Sequence, residues 1–310
     1  MTLQPSLPSA DNAGAPRSTP GRTRTVTRRL LILIPALAAL ALVIALALRP
    51  PVPFQPPHRF AMGRGSTIAL VHGPGSSIQD WLPTARLLAR GHRVVLIELP
   101  GHGLSTLDGP LTPERAAEAL DATLAEESKE PVVLVGHALG GLVAAVEALE
   151  HPERVRALVL VETALRPQIE GEAARRRLEA LDHDYATELR EIYTAYGRDS
   201  AQGEKLYAYA AKVGPSTLKP WLQLELFADV SLRMRHLKAP LLAVFSERMW
   251  PADRTWAEAA QSFGCSNAPG ARGARVEGCG HYPMLDRPEE LSRLIGHFAD
   301  DSVRGPVAAR

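Results

Sequence analysis

One stretch of the sequence has the residue types of a chemically useful turn. Residues 132–135 are a short apolar run, residues 136–140 have the sequence GHALG, and a helical pattern follows. Glycine has no Cβ, so glycines here let a strand and a helix approach closely. The central residue is Ala138, whose methyl group cannot attack a carbonyl. In a later loop, His281 carries the near-neutral imidazole that suits proton transfer.

Apolar strands alternate with helical segments through the rest of the domain. Strands are predicted at residues 66–71, 93–98, 132–135, 155–161, 240–245 and 274–277. Helices are predicted at residues 79–89, 112–128, 141–151, 252–263 and 288–299. This alternation is typical of the α/β class, with a mostly parallel sheet flanked by helices. Sites in such sheets lie beyond the carboxyl ends of the strands, where the candidate turns and loops fall.

Residues from about 165 to 238 interrupt this alternation. The segment is helix-rich and aromatic, containing Tyr185, Tyr193, Tyr196, Tyr207, Tyr209, Trp221 and Phe227. We interpret it as a helical cap inserted over the edge of the sheet. Most of its aromatic side chains are expected to be buried in a core, because they dominate burial energetics, and some are expected to line a pocket.

Four motifs in order resemble the α/β-hydrolase superfamily, in its capped single-domain branch. They are residues 72–77 (HGPGSS), 98–105 (ELPGHGLS), 136–141 (GHALGG) and 278–290 (GCGHYPMLDRPEE). The resemblance covers nearly all of residues 60–300. It implies the α/β-hydrolase fold and hydrolysis of an ester, amide, epoxide or carbon–carbon bond by a nucleophile, a histidine and an acid. Ala138 occupies the nucleophile position of the G-x-S-x-G elbow.

The resemblance also implies roles for other residues. His281 matches the catalytic histidine. The family often places its acid just after the strand that corresponds to residues 240–245, but Met249 stands at that position, with Glu247 and Asp253 nearby. Glu162, which follows the preceding strand, is the alternative acid. Such an acid fixes the imidazole tautomer and stabilises its charged form.

The oxyanion hole implied by the resemblance is incomplete. The family uses one backbone N–H just after His-Gly and another just after the nucleophile. The second corresponds to Leu139, beside a pocket residue, His137. The first, after Gly73, falls on Pro74, which has no N–H, and Gly75 is the substitute.

The N-terminus predicts a membrane anchor. Residues 1–29 are expected to be a disordered cytoplasmic tail, and residues 30–48 form an uncharged run long enough to cross a bilayer. The arginines that precede this run place the N-terminus inside and the domain on the extracytoplasmic side. A Pro-rich linker at 49–59, the domain at 60–300 and a tail at 301–310 follow. The competing interpretation is a cleaved signal peptide, with the cleavage site at residues 45–47.

Composition limits the partners. A net charge of +1 makes nucleic acid an unexpected partner, and the expected partners are a small molecule and the membrane. No metal-ligand spacing or dinucleotide-binding motif is present, so no metal or cofactor is predicted. The two cysteines, Cys265 and Cys279, could form a disulfide in an exported domain or remain buried thiols.

Three hypotheses follow. In the first, which we favour, the protein is a hydrolase in which His281 activates water directly against a small labile substrate. In the second, it is an inactive ligand-binding or scaffold protein. In the third, Ala138 is an engineered replacement of a serine, against which Pro74 and Met249 count, because a simple knockout would leave those positions unchanged.

Overall fold

The structure is a computed structural model that describes residues 56–106 and 109–304. The predicted tail at 1–29 and the predicted anchor at 30–48 lie outside these residues, as does most of the predicted linker. Among the helices that the structure describes, none has the length and apolarity needed to cross a membrane.

Seven strands of the described chain form one sheet, in the order β1-β3-β2-β4-β5-β6-β7. They are β1 (Arg59–Gly63), β2 (Thr67–Val71), β3 (Arg93–Ile97), β4 (Val132–His137), β5 (Val155–Val161), β6 (Leu241–Ser246) and β7 (Arg272–Val276). All neighbours are parallel except β1, which pairs with β3 antiparallel. The sheet is therefore mostly parallel, as predicted.

Ten α-helices accompany these strands in the described residues. They are α1 (Ile78–Leu88), α2 (Pro113–Glu127), α3 (Leu139–Glu150), α4 (Gly171–His183), α5 (Tyr185–Tyr196), α6 (Ser200–Ala210), α7 (Pro215–Phe227), α8 (Trp256–Ser262), α9 (Pro283–Asp286) and α10 (Pro288–Arg304). The last helix, α10, continues past the predicted domain end at 300. Helix α8 begins at Trp256, later than the predicted start at 252, because Thr255 and Glu258 form a capping box there.

The alternation of strand side chains divides the core into two layers. On β2, Ala69 and Val71 pack with α2, α3 and α8, whereas Ile68 and Leu70 pack with α1 and α10. Successive strand residues point to opposite faces, so each buried strand serves both layers. Helices therefore cover both faces of the sheet.

The cysteines lie in different layers. Cys265 belongs to the layer with α2, α3 and α8, and Cys279 belongs to the layer with α1 and α10. Both are buried free thiols, so the disulfide that the sequence left open is not formed. Burial raises the pKa of each thiol to about 12, which keeps both protonated and unreactive at neutral pH.

The predicted cap consists of α4 to α7 and a short 3₁₀-helix at Arg233–His236. Its aromatic residues include buried side chains and a pocket-lining side chain, as the sequence predicted. Tyr193 and Trp221 are almost completely buried, while Tyr196 lines the large cavity described below.

Candidate active site

The turn between β4 and α3 is a tight elbow. A Cβ on Gly136 would lie 2.4 Å from the Cα of Gly141, and a Cβ on Gly140 would lie 2.1 Å from the carbonyl oxygen of His72. Only glycine fits such contacts. The close approach of strand and helix that the sequence predicted is present.

Ala138, at the centre of the elbow, has φ +49° and ψ −129°. A positive φ is unfavourable for any residue with a Cβ. The same strained geometry would present a serine hydroxyl, but here it presents a methyl group. A Cβ built on Gly73 would lie 3.1 Å from the Ala138 Cβ, so the loop after β2 closes over this position.

His281 is paired with Glu162. The two side chains approach at 3.2 Å, from Nδ1 to Oε2. A carboxylate can only accept, so His281 donates from Nδ1, and in the neutral imidazole Nε2 is then the acceptor. The Glu162 side chain is 1% exposed and that of His281 is 15% exposed. The arrangement orients the imidazole as a proton acceptor on the side away from Glu162.

Glu162 is itself firmly held. It follows β5 with φ +50°, and its N–H donates to the carbonyl of Val244 at 2.9 Å. Its carboxylate accepts hydrogen bonds from the backbone N–H and the hydroxyl of Ser246. Sequence reasoning missed Ser246, although its place at the end of β6, next to the loop where the family often carries its acid, was a usable signal.

The other acid candidates lie elsewhere. Glu247 accepts a 3.3 Å hydrogen bond from the N–H of Gly278, and Asp253 is exposed. Met249 lines the cavity. In the described part of the chain, Glu162 is the carboxylate that pairs with His281.

The cap and the elbow both hold His281. The His281 N–H donates to the Tyr196 carbonyl at 2.9 Å, and the two rings stack with centroids 4.2 Å apart. On the other side, His137 donates from Nε2 to the His281 carbonyl at 2.7 Å. Burial lowers the pKa of His137 well below its ordinary value, with the nearby His281 adding to the effect, so His137 is neutral. Its Nδ1 is buried without a partner.

The candidate donors of the oxyanion hole differ in whether they have a backbone N–H that is free to bind substrate. The Leu139 N–H at the start of α3 makes no hydrogen bond within the part of the chain described, so it is available. The Gly75 N–H is already used, because it donates to Nε2 of His102 at 3.0 Å. Pro74 has no N–H, and its carbonyl accepts from the Tyr193 hydroxyl at 2.8 Å. This geometry does not support Gly75 as the substitute donor.

A cavity of about 590 Å³ lies between the sheet edge and the cap. Ala138, Leu139, Glu162 and His281 line it at the sheet edge. Apolar side chains form much of the remaining wall, including Leu142, Ile169, Leu181, Ile192, Leu222, Leu226 and Met249. Charged side chains also line the cavity, including Arg166, Arg177 and Arg248. A concave site with an apolar wall and polar groups that can orient a ligand is typical of small-molecule binding.

Sequence reasoning did not single out Glu225, a cap residue that also lines this cavity. Desolvation raises its pKa, which His281 and Arg177 partly counter. Across residues 56–106 and 109–304, no group of three or more histidine, cysteine, aspartate or glutamate side chains is placed to hold a metal ion.

Comparison with known proteins gives consistent matches. A model described as the alpha/beta hydrolase family matches residues 68–294. A pimeloyl-acyl-carrier protein methyl ester esterase of Aromatoleum aromaticum is 30% identical, over 77% of this chain and 98% of the relative. The esterase of the same name from Aeromonas hydrophila is 28% identical over 76% of this chain and 96% of its own. A solved hydrolase from Oleispira antarctica superimposes with a TM-score of 0.70 at 17% identity, covering 79% and 95% of the two chains.

Proposed function

The chain belongs to the α/β-hydrolase family, and from this premise we propose that it hydrolyses a small ester, amide or other labile acyl substrate with water activated by His281. The observation that carries the proposal is the Glu162–His281 pair, whose side chains lie 3.2 Å apart beside the cavity and whose carboxylate is buried. A scaffold that had only to bind a ligand would not require an oriented imidazole with a free Nε2.

The proposed reaction needs no covalent intermediate. His281 accepts a proton at Nε2 from a water molecule next to Ala138, and the resulting hydroxide attacks the acyl carbon. Glu162 stabilises the imidazolium that forms. The imidazolium then returns the proton to the leaving group, so that acid and alcohol or amine are released. The Leu139 N–H faces the developing oxyanion.

The oxyanion hole limits the substrate. Losing one of two donors costs about 2–4 kcal/mol of transition-state stabilisation. Because Pro74 and Gly75 supply no free N–H here, we propose a substrate with an activated acyl group. The curated relatives named as methyl ester esterases support an ester.

The test compares a fragment of residues 56–310 with its His281→Ala and Glu162→Gln variants on short-chain p-nitrophenyl esters. We expect hydrolysis by the natural sequence, a loss of at least about 100-fold without His281, and a smaller loss for Glu162→Gln. Hydrolysis that persists in His281→Ala would contradict the mechanism.

A second candidate function, ligand binding without catalysis, is favoured by the loss of the Gly75 N–H to His102. This candidate expects the natural sequence to be inert. The Ala138→Ser variant then separates two causes. A gain of His281-dependent activity would show that only the nucleophile is missing, whereas continued inactivity would identify the oxyanion hole as a second defect.

We also propose, from the sequence, that residues 30–48 anchor the protein in a membrane with the domain on the extracytoplasmic side. Support comes from the length of the uncharged run and the arginines before it. The full chain should remain with the membrane fraction after carbonate washing, and externally added protease should digest the domain in spheroplasts. Release of an intact domain into the medium would instead support the cleaved signal peptide.

A further inference from the structure

A second, very small cavity lies beside the elbow. Its volume is about 10 Å³, which is room for about one water molecule. It is lined by Gly73, Pro74, His137, Ala138, Tyr193, Tyr196, Leu222, Glu225, His281 and Tyr282. The cavity therefore touches both the methyl group at the nucleophile position and the histidine.

Three side chains on its wall have unused hydrogen-bonding capacity. His281 has Nε2 free, since Nδ1 is occupied by Glu162. His137 has an unpartnered Nδ1, which accepts because its Nε2 carries the proton. The Glu225 carboxylate accepts no hydrogen bond from the residues described. The buried nitrogen of His137 needs water or a ligand as its partner, whereas Glu225 is exposed and reaches the cavity from its open side.

Glu225 reaches this cavity from the cap. It lies on α7, one turn after Leu222, and it also lines the large cavity. Burial raises the pKa of Tyr193, Tyr196 and Tyr282, and the charge of Glu225 adds to the rise in each. All three rings also line the small cavity. The carboxylate is therefore close to the whole ring of side chains around His281.

No ion pair neutralises this carboxylate among the described residues. Arg177, whose charge counters the rise in the pKa of Glu225, also lines the large cavity. Arg177 instead pairs with Glu188 of the neighbouring cap helix. Glu225 thus faces the site as a carboxylate with both oxygens available.

We propose that Glu225 is a catalytic residue whose carboxylate, together with Nε2 of His281, holds the attacking water beside Ala138. This inference rests on the proposed function. One water hydrogen goes to His281 and the other is hydrogen-bonded to Glu225, so the oxygen lone pair is directed at the acyl carbon. The proton taken by His281 later protonates the leaving group, and Glu225 ends unchanged. The cap thus supplies the group that positions the nucleophile in place of a serine side chain.

The test is the Glu225→Gln variant on p-nitrophenyl butyrate. We expect kcat to fall at least about tenfold with KM changed less than about twofold, because the interaction strengthens as the water attacks. Glu204→Gln is the matched control, since Glu204 is an exposed cap glutamate paired with Arg190. It should leave both constants unchanged. An equal loss in the two variants, or a loss confined to KM, would overturn the proposal.

The Ala138→Ser variant shows whether Glu225 positions the attacking water or only supports the structure of the site. In Ala138→Ser, the serine oxygen attacks first, and water is needed only for the later step. Adding Glu225→Gln should leave the initial burst of p-nitrophenol unchanged and slow the steady-state rate. A burst slowed to the same extent would show that Glu225 acts through the structure of the site, and the proposal would fail.

The His281→Ala variant, measured alongside, distinguishes a failure of the Glu225 proposal from a failure of the proposed hydrolase function. Natural activity that depends on His281 but not on Glu225 would leave the proposed function standing and remove the role of Glu225. Complete inactivity of the natural sequence would remove both.

Discussion

At the residue scale, Ala138 has the strained backbone of a nucleophile elbow but no hydroxyl to act as a nucleophile. Its φ of +49° is more easily adopted by glycine. We expect Ala138→Gly to raise the free energy of unfolding by about 1 kcal/mol. The control, Ala208→Gly on the exposed surface of α6, should lower it by about 0.5–1 kcal/mol. Urea titrations measure both, and equal losses would show that the elbow is not strained in solution.

Glu147 on α3 gives a second prediction at this scale. Its carboxylate is buried without a hydrogen bond, and desolvation raises its pKa to about 9. The folded state therefore keeps a proton that the unfolded state releases above about pH 4.5. Stability falls as pH rises through this window, by at most about 1.4 kcal/mol per pH unit.

Replacing Glu147 with glutamine removes this titration. We expect the variant to match the natural sequence near pH 4.5 and to gain thermal stability relative to it as pH rises toward 9. Melting temperatures measured across this range give the comparison. A constant difference at all pH values would contradict the assignment.

The residues of the site were unequally predictable. Glu162 and His281 could be proposed because the family resemblance implies an acid and a histidine in the loops that follow two of the predicted strands. Glu225 lies in the cap, where helical periodicity specifies burial but not which pocket a side chain enters. The loss of the Gly75 N–H depends on His102, 27 residues away, and only the folded loops reveal that contact.

At the element scale, the loop that carries His281 is fixed to the end of α5. A Cβ on Gly280 would lie 2.6 Å from the Arg198 nitrogen and the Tyr196 carbonyl oxygen. We expect Gly280→Ala to push the cap from the loop, lower the melting temperature and reduce His281-dependent turnover at least about tenfold. Gly91→Ala, where nothing lies within 4 Å of the added carbon, is the control. Retained turnover in Gly280→Ala would show that this junction is not needed to place His281.

The bounds of the strands were predicted best where the apolar pattern in the sequence was strongest. The buried strand β5 is apolar except for Arg156, and the predicted range of 155–161 agrees with Val155–Val161. The edge strand β1 was missed because it is short and mostly exposed, with an apolar run of only three residues, 60–62. Its pairing with β3 is made by backbone groups, which leave little trace in residue type.

At the scale of the whole molecule, buried histidines set the response to acid. Desolvation lowers the pKa of His72 to about 3 and that of His102 to about 4. Below the ordinary value of 6.5, the unfolded state takes up protons that the folded state refuses. Stability therefore falls as pH drops from about 6.5 toward 4.

The variant His102→Gln tests this response. Glutamine can still accept from the Gly75 N–H but does not titrate. We expect the pH dependence of unfolding free energy between pH 6.5 and 4 to become shallower by up to about 1.4 kcal/mol per unit. Because the slope is compared, a general loss of stability does not affect the result, and an unchanged slope would contradict the assignment.

The elbow also has a consequence for ancestry. Alanine and serine codons of the GCN and TCN types differ by a single base, so a point mutation would place a hydroxyl on a backbone already bent to present it. That hydroxyl would enter the cavity that His281 and Glu162 also line. The Gly75 amide would still be engaged with His102. Conversion between this protein and a serine hydrolase, in either direction, would thus need one substitution at the nucleophile and several at the oxyanion hole. The sequence differences that separate the two forms should therefore accumulate around the oxyanion hole.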